Sequence, residues 1–223
     1  MTLQRFLIFG TLTLWANFGY GQCPPQSIPF SEDFNSSVGC FTITDGGTTT
    51  DTWVQAASGA GTAGGDIDGT GFMEVDSDAA GNGNTLDETL TSPYIDAGNV
   101  TGTLFLEFDH FFRSLGANDS VWVEVWDSIA WQTVYTSVNT VGAFGSPDQQ
   151  QIDITSYAND SLQVRFRYVD NNSWAWYWLV DNFKVESVLC PNPTAVTVSA
   201  NSATAFTVNL GSEQIPLPLN GAQ

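Results

Sequence analysis

The sequence predicts an all-β fold, a jelly-roll β-sandwich. Segments rich in β-branched and aromatic residues recur along the chain between turns rich in Gly, Asn and Asp, and about ten to twelve of them read as strands. No stretch has the apolar spacing of an amphipathic helix. Many short strands with frequent turns are typical of a sandwich or jelly roll.

Residues 1–21 have the pattern of a secretory signal peptide. Arg5 supplies a positive charge, residues 6–15 are mostly apolar, and Gly19 and Gly21 are small residues at the cleavage positions. The apolar run is too short and too soon interrupted for a transmembrane helix. We expect a secreted or cell-surface protein whose mature chain has no membrane span.

The chain is strongly acidic, with 24 acidic and 5 basic residues and a formal net charge of −19. This charge excludes a phosphate-binding surface, so neither nucleic acid nor an anionic membrane is an expected partner. The acidity is compatible with simple solubility. It is also compatible with Ca²⁺ binding, because clustered carboxylate and backbone oxygens are the ligands of that ion.

Three cysteines, Cys23, Cys40 and Cys190, make a disulfide the default expectation in an exported protein. A bond between Cys23 and Cys40 would close a short loop and stabilise the fold by roughly 3 kcal/mol. Cys190 would then remain unpaired at the start of a second module. The sequence leaves open whether Cys23 pairs with Cys40 or with Cys190.

The strands of the main domain follow one another from residue 28 to residue 185. Pro29 marks the first as an edge strand, because proline cannot donate a ladder hydrogen bond. The glycines of residues 59–71 predict a long loop. The predicted strands are 28–34, 41–44, 52–54, 71–76, 86–90, 91–95, 103–112, 120–126, 131–135, 151–154, 162–168 and 174–185.

The last strand, residues 174–185, is the most apolar and contains neither Gly nor Pro. Both of its faces are largely apolar, which predicts a central strand covered on both sides. One carboxylate, Asp181, lies among these residues and is costly to bury without a partner. A period of two divides the strand into one face with Trp174, Trp176 and Trp178 and another with Tyr177, Leu179 and Asp181.

The main domain is predicted to end at residue 188. Residues 189–223 contain two further strand-like stretches, 190–198 and 204–210. About thirty residues are too few to bury a core alone. We therefore expect a truncated second β module and further domains of the same polypeptide beyond it.

A series of short pieces in residues 22–188 carries a family resemblance. In order they are Glu32-Asp-Phe34, Cys40-Phe41, Trp53, residues 71–76, 90–93 and 104–108, Trp131 and residues 178–185. Together they resemble the MAM domain and its bacterial relatives, including the cleaved-adhesin modules of secreted bacterial proteases. The vertebrate-type MAM cysteine set is incomplete here.

Residues 190–194, Cys-Pro-Asn-Pro-Thr, are similar to the linker that opens fibronectin type III modules in surface proteins of Bacteroidetes-type bacteria. Residues 189–223 do not resemble a C-terminal secretion-sorting domain. The two resemblances imply a jelly roll used for adhesion, for contact with glycans or proteins, or as an accessory module of a secreted enzyme.

Calcium is the best-motivated ligand. Glu32 or Asp33 on the first strand could meet Asp181 on the last, because jelly rolls bring their terminal strands together, and similar folds hold a structural Ca²⁺ at such a junction. Asp76 and Asp78 beside a Gly-Asn loop form a second oxygen-rich candidate.

Two plainer alternatives to calcium remain open. Asp181 could accept backbone hydrogen bonds or pair with Arg165, Arg167 or Lys184. The other carboxylates could be solvated loop residues.

Catalytic chemistry has little support in the sequence. Glu74, Asp76 and Asp78 superficially resemble the carboxylate strand of one jelly-roll glycosidase class, but the last Glu of that pattern is missing. His110 is the only histidine and has neither a nucleophile context nor a second metal-binding His. We therefore expect no enzymatic activity.

Most of the eight tryptophans alternate within strands, which favours core packing over sugar stacking. Trp174 and Tyr177 border the turn at 170–173 and are the best candidates for contact with a ligand. The sequence thus predicts a calcium-stabilised, non-catalytic adhesion or recognition module for extracellular glycans or proteins. The alternative is an accessory domain of a secreted protease or glycoside hydrolase.

Overall fold

The computed structural model describes residues 23–116, 118–189, 196–202 and 205–210. The predicted signal peptide and the pairing of Cys190 lie outside the described residues. The strands are β1 Gln26–Ser27, β2 Phe30–Glu32, β3 Thr42–Asp45, β4 Val54–Ala56, β5 Phe72–Asp76, β6 Asp87–Thr91, β7 Ile95–Asp96, β8 Thr103–Phe112, β9 Ser120–Trp126, β10 Trp131–Ser137, β11 Asp148–Asp153, β12 Val164–Val169, β13 Tyr177–Val188, β14 Val196–Ser202 and β15 Ala205–Leu210. A one-turn helix, α1 (Ser77–Ala80), follows β5, and a 3₁₀ turn (Thr155–Tyr157) precedes β12.

Two antiparallel sheets form a β-sandwich of the jelly-roll type, which confirms the predicted fold class. The five-stranded sheet has the order β10-β9-β12-β6-β3, and the six-stranded sheet has β11-β8-β13-β5-β4 with β2 also paired to β13. Most neighbours in these sheets are distant in sequence, as expected for a jelly roll. The short strands β1 and β7 pair in parallel.

The core lies between the two sheets and is built by residues that alternate inward. Leu104, Leu106 and Phe108 of β8 are almost completely buried, as are Val121 and Val123 of β9. The indole rings of Trp53 and Trp178 add bulk at the centre, with centroids 5.4 Å apart. Large aromatic side chains at such positions contribute much of the buried apolar area of a sandwich.

Strand β13 is central, as predicted. It pairs with β8 on one side and with β5 and then β2 on the other. The register shifts between Asp181 and Lys184, and Asn182 takes a left-handed φ of 51° at this point. This irregularity is a β-bulge, which re-aims the side chains beside it.

The prediction that Trp174, Trp176 and Trp178 share one face of β13 is wrong for Trp174 and Trp176. The strand begins only at Tyr177, and Trp174 precedes it with a left-handed φ of 48°. Trp178 points into the core, whereas Trp176 packs against the cluster that contains Tyr177 and Leu179 on the opposite side of the sheet. The alternation fails because the residues before Tyr177 do not follow the strand geometry on which it depends.

Core packing was also the wrong prediction for Trp122, Trp126 and Trp131. They lie half-buried on the solvent side of the five-stranded sheet, where Arg165 stacks 4.3 Å above the Trp131 ring and Arg167 5.4 Å above that of Trp122. The small valines of β9 take the inner positions. Stacked guanidinium groups cover the outward rings and reduce their contact with water.

The Gly-rich loop at 57–71 covers one end of the outer face of the six-stranded sheet, the face turned away from the core. Buried Glu74 fastens this loop by accepting hydrogen bonds from the backbone N–H of Thr62 (3.0 Å) and Ala63 (2.6 Å). Gly61 passes so close that an added Cβ would lie 2.6 Å from Oε2 of Glu74. A side chain at this position would push the loop from its anchor.

Asp170 anchors a second set of loops in the same way. Its buried carboxylate accepts hydrogen bonds from the backbone N–H of Leu86 and Asn172, both at 3.0 Å, and from the hydroxyl of Ser77 at 2.7 Å. These contacts hold the turn before β13 against the start of α1 and the residue before β6. The loops at this end of the sandwich are thus attached through a single carboxylate.

The disulfide forms between Cys23 and Cys40, 17 residues apart, which is one of the two pairings that the sequence left open. It ties the start of the described chain to the residue before Phe41. Beyond the sandwich, β14 and β15 form an antiparallel hairpin in the region predicted to begin a second module. The boundary at residue 188 and the kind of module remain predictions.

Candidate functional site

A groove of about 670 Å³ lies on the six-stranded sheet and crosses β2, β13, β8 and β11. It is lined by Ser31, Glu32, Asp33, Glu107, Phe108, Asp109, Gln149, Gln150, Gln151, Asn182, Phe183 and Lys184. This volume is within the range of pockets that hold small ligands. Ten of these twelve residues are polar or charged.

The side chains that line the groove form two rows. The first row runs straight across the four strands β2, β13, β8 and β11. Ser31 is opposite Lys184, Lys184 is opposite Glu107, and Glu107 is opposite Gln151. Gln151 donates to Glu107 at 2.6 Å, and the Lys184 ammonium lies 3.5 Å from the same carboxylate. The strand pairing therefore places an amide, a carboxylate and an ammonium side by side.

The second row is set by the bulge in β13. Asp181 and Gln149 are both opposite Asp109 in the strand register. The Asn182 amide donates to Asp109 at 2.9 Å and to Asp68 at 3.1 Å. One neutral side chain thus holds two carboxylates together at the edge of the groove.

Asp181 is completely buried and faces the same cluster. Oδ1 accepts a hydrogen bond from the Asn182 N–H at 2.7 Å, and Oδ2 lies 3.1 Å from Oγ1 of Thr70. Burial, reinforced by the negative charges of Asp68 and Asp109, raises the pKa of Asp181 to about 7.

The Thr70 hydroxyl lies between the carboxylates of Asp68 and Asp181. Its oxygen lies 2.5 Å from Oδ1 of Asp68 and 3.1 Å from Oδ2 of Asp181, but a hydroxyl has only one proton to donate. If that proton goes to Asp68, the second contact is a hydrogen bond only when Asp181 is itself protonated and donates. A protonated Asp181 is also what its raised pKa favours at neutral pH and below.

The cations that were possible partners of Asp181 are engaged elsewhere. Arg165 pairs with Glu124 at 2.6 Å, Arg167 pairs with Asp87 at 2.7 Å, and Lys184 lies 2.6 Å from Glu186 and also near Glu107. The alternative in which Asp181 accepts a backbone hydrogen bond agrees with the structure.

The predicted calcium ligands on the first strand are placed differently from one another. Glu32 is opposite Phe183 in the register, accepts a hydrogen bond from the Phe34 N–H at 3.3 Å, and has its carboxylate against Gly39. Asp33 is exposed at the edge of the groove, where it accepts from the Asn35 N–H at 3.1 Å. Glu32 therefore has its contacts away from Asp181.

The second calcium candidate is a helix cap. Asp76 accepts hydrogen bonds from the backbone N–H of Asp78 and Ala79 at the start of α1, and its other oxygen accepts from the Thr62 hydroxyl at 2.7 Å. Asp78 is exposed in the first turn. Among the residues that the structure describes, no three His, Cys, Asp or Glu side chains are grouped as a metal site requires.

The two aromatic candidates have different surroundings. Trp174 is 47 % exposed, and its indole N–H donates to the backbone carbonyl of Asp78 at 3.1 Å. Tyr177 is only 4 % exposed and packs against Phe111 and Phe144. Its ring is therefore a wall of the outer cluster and has no free face for stacking.

His110 is a buried structural residue. Nδ1 accepts a hydrogen bond from the indole N–H of Trp178 at 3.2 Å, and Nε2 lies 3.3 Å from Asp148. Burial lowers the pKa of His110 to about 4, against the opposing effect of Asp148. The imidazole is neutral at physiological pH, with its Nε2 proton directed toward the carboxylate.

Sequence reasoning missed most of the groove. Asp109 and Gln151 were predicted only as strand residues, and Gln149 fell outside the predicted strands. Their convergence depends on how distant strands pair. The bulge at Asn182 left no sequence signal that alternation could detect. No helix in the described part of the chain is long and apolar enough to cross a membrane.

No protein-family model and no curated protein matches the sequence. The chain is similar in structure to the K1 cleaved adhesin domain of Lys-gingipain from Porphyromonas gingivalis, with a TM-score of 0.52 and 18 % identity, covering 72 % of this chain and 98 % of that one. The K3 domain of the same protein gives a TM-score of 0.48 at 14 % identity, over 71 % and 98 % of the two chains. The first likeness shows that the two chains share a sandwich fold.

Proposed function

We propose that this chain is a non-catalytic recognition module of an exported protein and that it binds an extracellular glycan in the groove across β2, β13, β8 and β11. The observation that carries the proposal is the pair of polar rows in the groove. Amides, carboxylates and an ammonium directed into one cleft match the many hydroxyl groups of a sugar, which both donate and accept hydrogen bonds.

The surroundings of the groove support binding without catalysis. The Glu107 carboxylate is held by Gln151 and Lys184, and the Asp109 carboxylate by Asn182. Glycoside hydrolysis needs one carboxylic acid that can donate a proton and a second, free carboxylate across the bond. Carboxylates already paired with amides and an ammonium are better suited to hold a ligand.

Binding can be tested with a glycan array followed by titration of the sugars that bind. Gln149 and Gln151 are exposed, so the double change to Ala removes two amides from the groove without opening the core. We expect it to weaken binding about tenfold or more. Thr133→Ala, on the exposed face of the other sheet, is the matched control. Equal binding by the double variant and wild type would contradict the groove assignment.

The wider context is part of the same proposal. Cleavage after residue 21, a MAM-like kinship and a fibronectin type III module after residue 188 fit an adhesin of the bacterial cell surface. The K1 domain with the shared fold is a cleaved adhesin domain of Lys-gingipain, which supports the alternative of an accessory domain attached to a secreted enzyme. The N-terminal sequence of the mature protein and the full-length gene would test these points.

Calcium binding beside Asp181 is proposed as a stabilising feature. Support comes from a buried carboxylate that has no cation among its described contacts and has two further carboxylates close by. Backbone and water oxygens would have to complete the coordination. Ca²⁺ at a hundredfold excess over its Kd would stabilise the fold by about 2.7 kcal/mol, and a melting temperature unchanged between EDTA and Ca²⁺ would refute the proposal.

A further inference from the structure

The turn before β13 holds one tryptophan in an unusual conformation. Trp174 has a left-handed φ of 48°, and Asn171 and Asn172 just before it have φ values of 51° and 58°. Asparagine adopts this region readily because its short polar side chain can bond locally, whereas a bulky residue there is a backbone outlier. Such an outlier persists only where the surrounding structure enforces it, and outliers of this kind cluster at binding sites.

Hydrogen bonds on both sides of Trp174 enforce this conformation. The Ser173 N–H donates to the carbonyl three residues earlier at 3.0 Å, and the Ala175 N–H donates to the Ser77 hydroxyl oxygen at 3.0 Å. The indole N–H donates to the Asp78 carbonyl at 3.1 Å. The backbone and the edge of the ring are therefore both fixed before a ligand arrives, so binding costs little conformational entropy.

The Trp174 ring is uncovered, in contrast to the other tryptophans that the structure describes. Each of those six lies against another aromatic ring or a guanidinium group: Trp53, Trp122, Trp126, Trp131, Trp176 and Trp178. Within the described residues, no aromatic ring or guanidinium contacts the Trp174 ring, which is 47 % exposed. Because its N–H is already used, the indole is available to a ligand through the face of the ring.

A residue with an exposed carboxylate adjoins this ring. Asp78 lies in the first turn of α1, and its own carbonyl is the acceptor of the indole N–H. Its side chain is exposed and forms neither a hydrogen bond nor an ion pair with any residue that the structure describes. A free carboxylate can accept hydrogen bonds from two neighbouring hydroxyl groups. The turn and α1 thus bring together an apolar platform and a strong acceptor.

We propose that Trp174 and Asp78 form a second glycan site, which binds the apolar face of a neutral pyranose ring at the loop end of the sandwich, where the turn at 170–174 meets α1. The CH groups of the sugar stack on the indole, and hydroxyl groups at the edge of the sugar donate to Asp78. The site is separate from the groove, because the strand from Tyr177 to Asn182, roughly 16 Å long, lies between them. The inference therefore goes beyond the proposed function and does not depend on it.

Charge and shape define the ligand. A chain with a net charge of −19 and a carboxylate at the site disfavours acidic sugars. An indole face suits gluco- and galacto-configured pyranoses, which present a continuous row of CH groups on one side. Apolar peptides also stack on indoles, but they lack the hydroxyl donors that Asp78 would accept. One stacked sugar with a few hydrogen bonds corresponds to a Kd of about 1–10 mM.

The test titrates isotope-labelled protein of the full chain with lactose and with cellobiose, which offer both kinds of ring. Sorbitol, which has hydroxyl groups but no ring face, is the control ligand. Kd is read from the NMR shifts of the Trp174 indole N–H and of the Asp78 and Ser173 backbone amides. We expect the disaccharides to shift these signals in the millimolar range and sorbitol to leave them unchanged.

Substitutions locate the site. Trp174→Asn removes the ring but keeps a residue suited to a left-handed φ, so the fold should be retained while binding is lost. Trp174→Phe keeps a ring and should weaken binding only severalfold. Asp78→Ala should weaken it about tenfold, and because Asp78 is exposed this change leaves the turn intact. Ile129→Asn, which removes an 85 % exposed apolar side chain from the turn between β9 and β10, is the matched control and should change nothing.

Each outcome has a definite reading. Absence of shifts with both disaccharides, equal shifts with sorbitol, or binding that survives Trp174→Asn overturns the site. A proline-rich peptide that binds at Trp174 more tightly than either disaccharide overturns the assignment to a sugar. Binding at the loop end that persists in the Gln149 and Gln151 double variant supports a separate site, and its loss there overturns one. Array glycans that leave the groove residues unshifted refute the proposed function alone, because the loop-end site is read from its own signals.

Discussion

Replacement of Asp181 by Asn is the sharpest test of the buried acidic cluster. The amide oxygen of Asn can accept the Asn182 N–H, and the amide nitrogen can donate to the Thr70 hydroxyl, which lies 3.1 Å from Oδ2 of Asp181. The substitution therefore keeps both hydrogen bonds and removes only the ability to ionise. The comparison isolates the cost of the buried charge.

The magnitude follows from the pKa of Asp181, which rises from 3.8 to about 7 on folding. The folded state binds more protons than the unfolded state between these values, so the free energy of unfolding falls as pH rises through this window. The full shift corresponds to about 4 kcal/mol. Because buried sites respond to charge with an effective dielectric constant well above that of dry protein, we expect a change of about 2 kcal/mol.

The assay is urea denaturation of both proteins at pH 4, 6 and 8.5 in EDTA. We expect Asp181→Asn to gain about 2 kcal/mol of stability relative to wild type between pH 4 and pH 8.5. Parallel pH profiles would refute the argument, because they would mean that Asp181 titrates as it does in the unfolded chain. The same measurement in Ca²⁺ tests whether Asp181 is also a calcium ligand. A calcium site would stabilise the wild type at pH 8.5 and would not stabilise Asp181→Asn.

Three further outcomes follow from the fold. The pKa of His110 falls to about 4 on folding, so the free energy of unfolding should decrease as pH drops from 6.5 to 4, and His110→Gln should remove that dependence in a titration of stability against pH. Replacement of Cys23 and Cys40 by Ser should cost about 3 kcal/mol in urea denaturation, and an unchanged midpoint would contradict this estimate. Gly61→Ala should cost about 1–3 kcal/mol and increase proteolysis within the loop at 57–71, because its Cβ meets Glu74; wild-type resistance would contradict the close contact.

The sequence was sufficient for the fold because strand alternation and turn residues are local signals. Strand β13 was recognisable as central from its two apolar faces, and Val121 and Val123 were recognisable as one face of β9. The face that points inward was assigned wrongly although Glu124 lies between Trp122 and Trp126, because the large apolar rings were given more weight than the one carboxylate beside them. Stacking by Arg165 and Arg167 decides the matter, and it depends on strands far apart in the chain.

The candidate site was predictable only in part. Asp181 stood out because a carboxylate in an apolar strand requires an explanation. Its actual neighbours, Asp68 and Thr70, come from a loop whose glycines reveal flexibility but not its path. The groove depends on the pairing of β11 with β8 and of β2 with β13, and no local pattern in Gln149 or Gln151 indicates such pairing.

The anchoring carboxylates have a consequence for how this fold can diversify. Glu74 holds the loop at 57–71 through backbone N–H groups, and Asp170 holds two further segments largely in the same way. Because every amino acid except proline offers that same donor, attachment places few demands on the identity of the loop side chains apart from the glycine at position 61. Loop sequences can therefore drift, or be exchanged by design, while the sandwich continues to fix where each loop begins and ends.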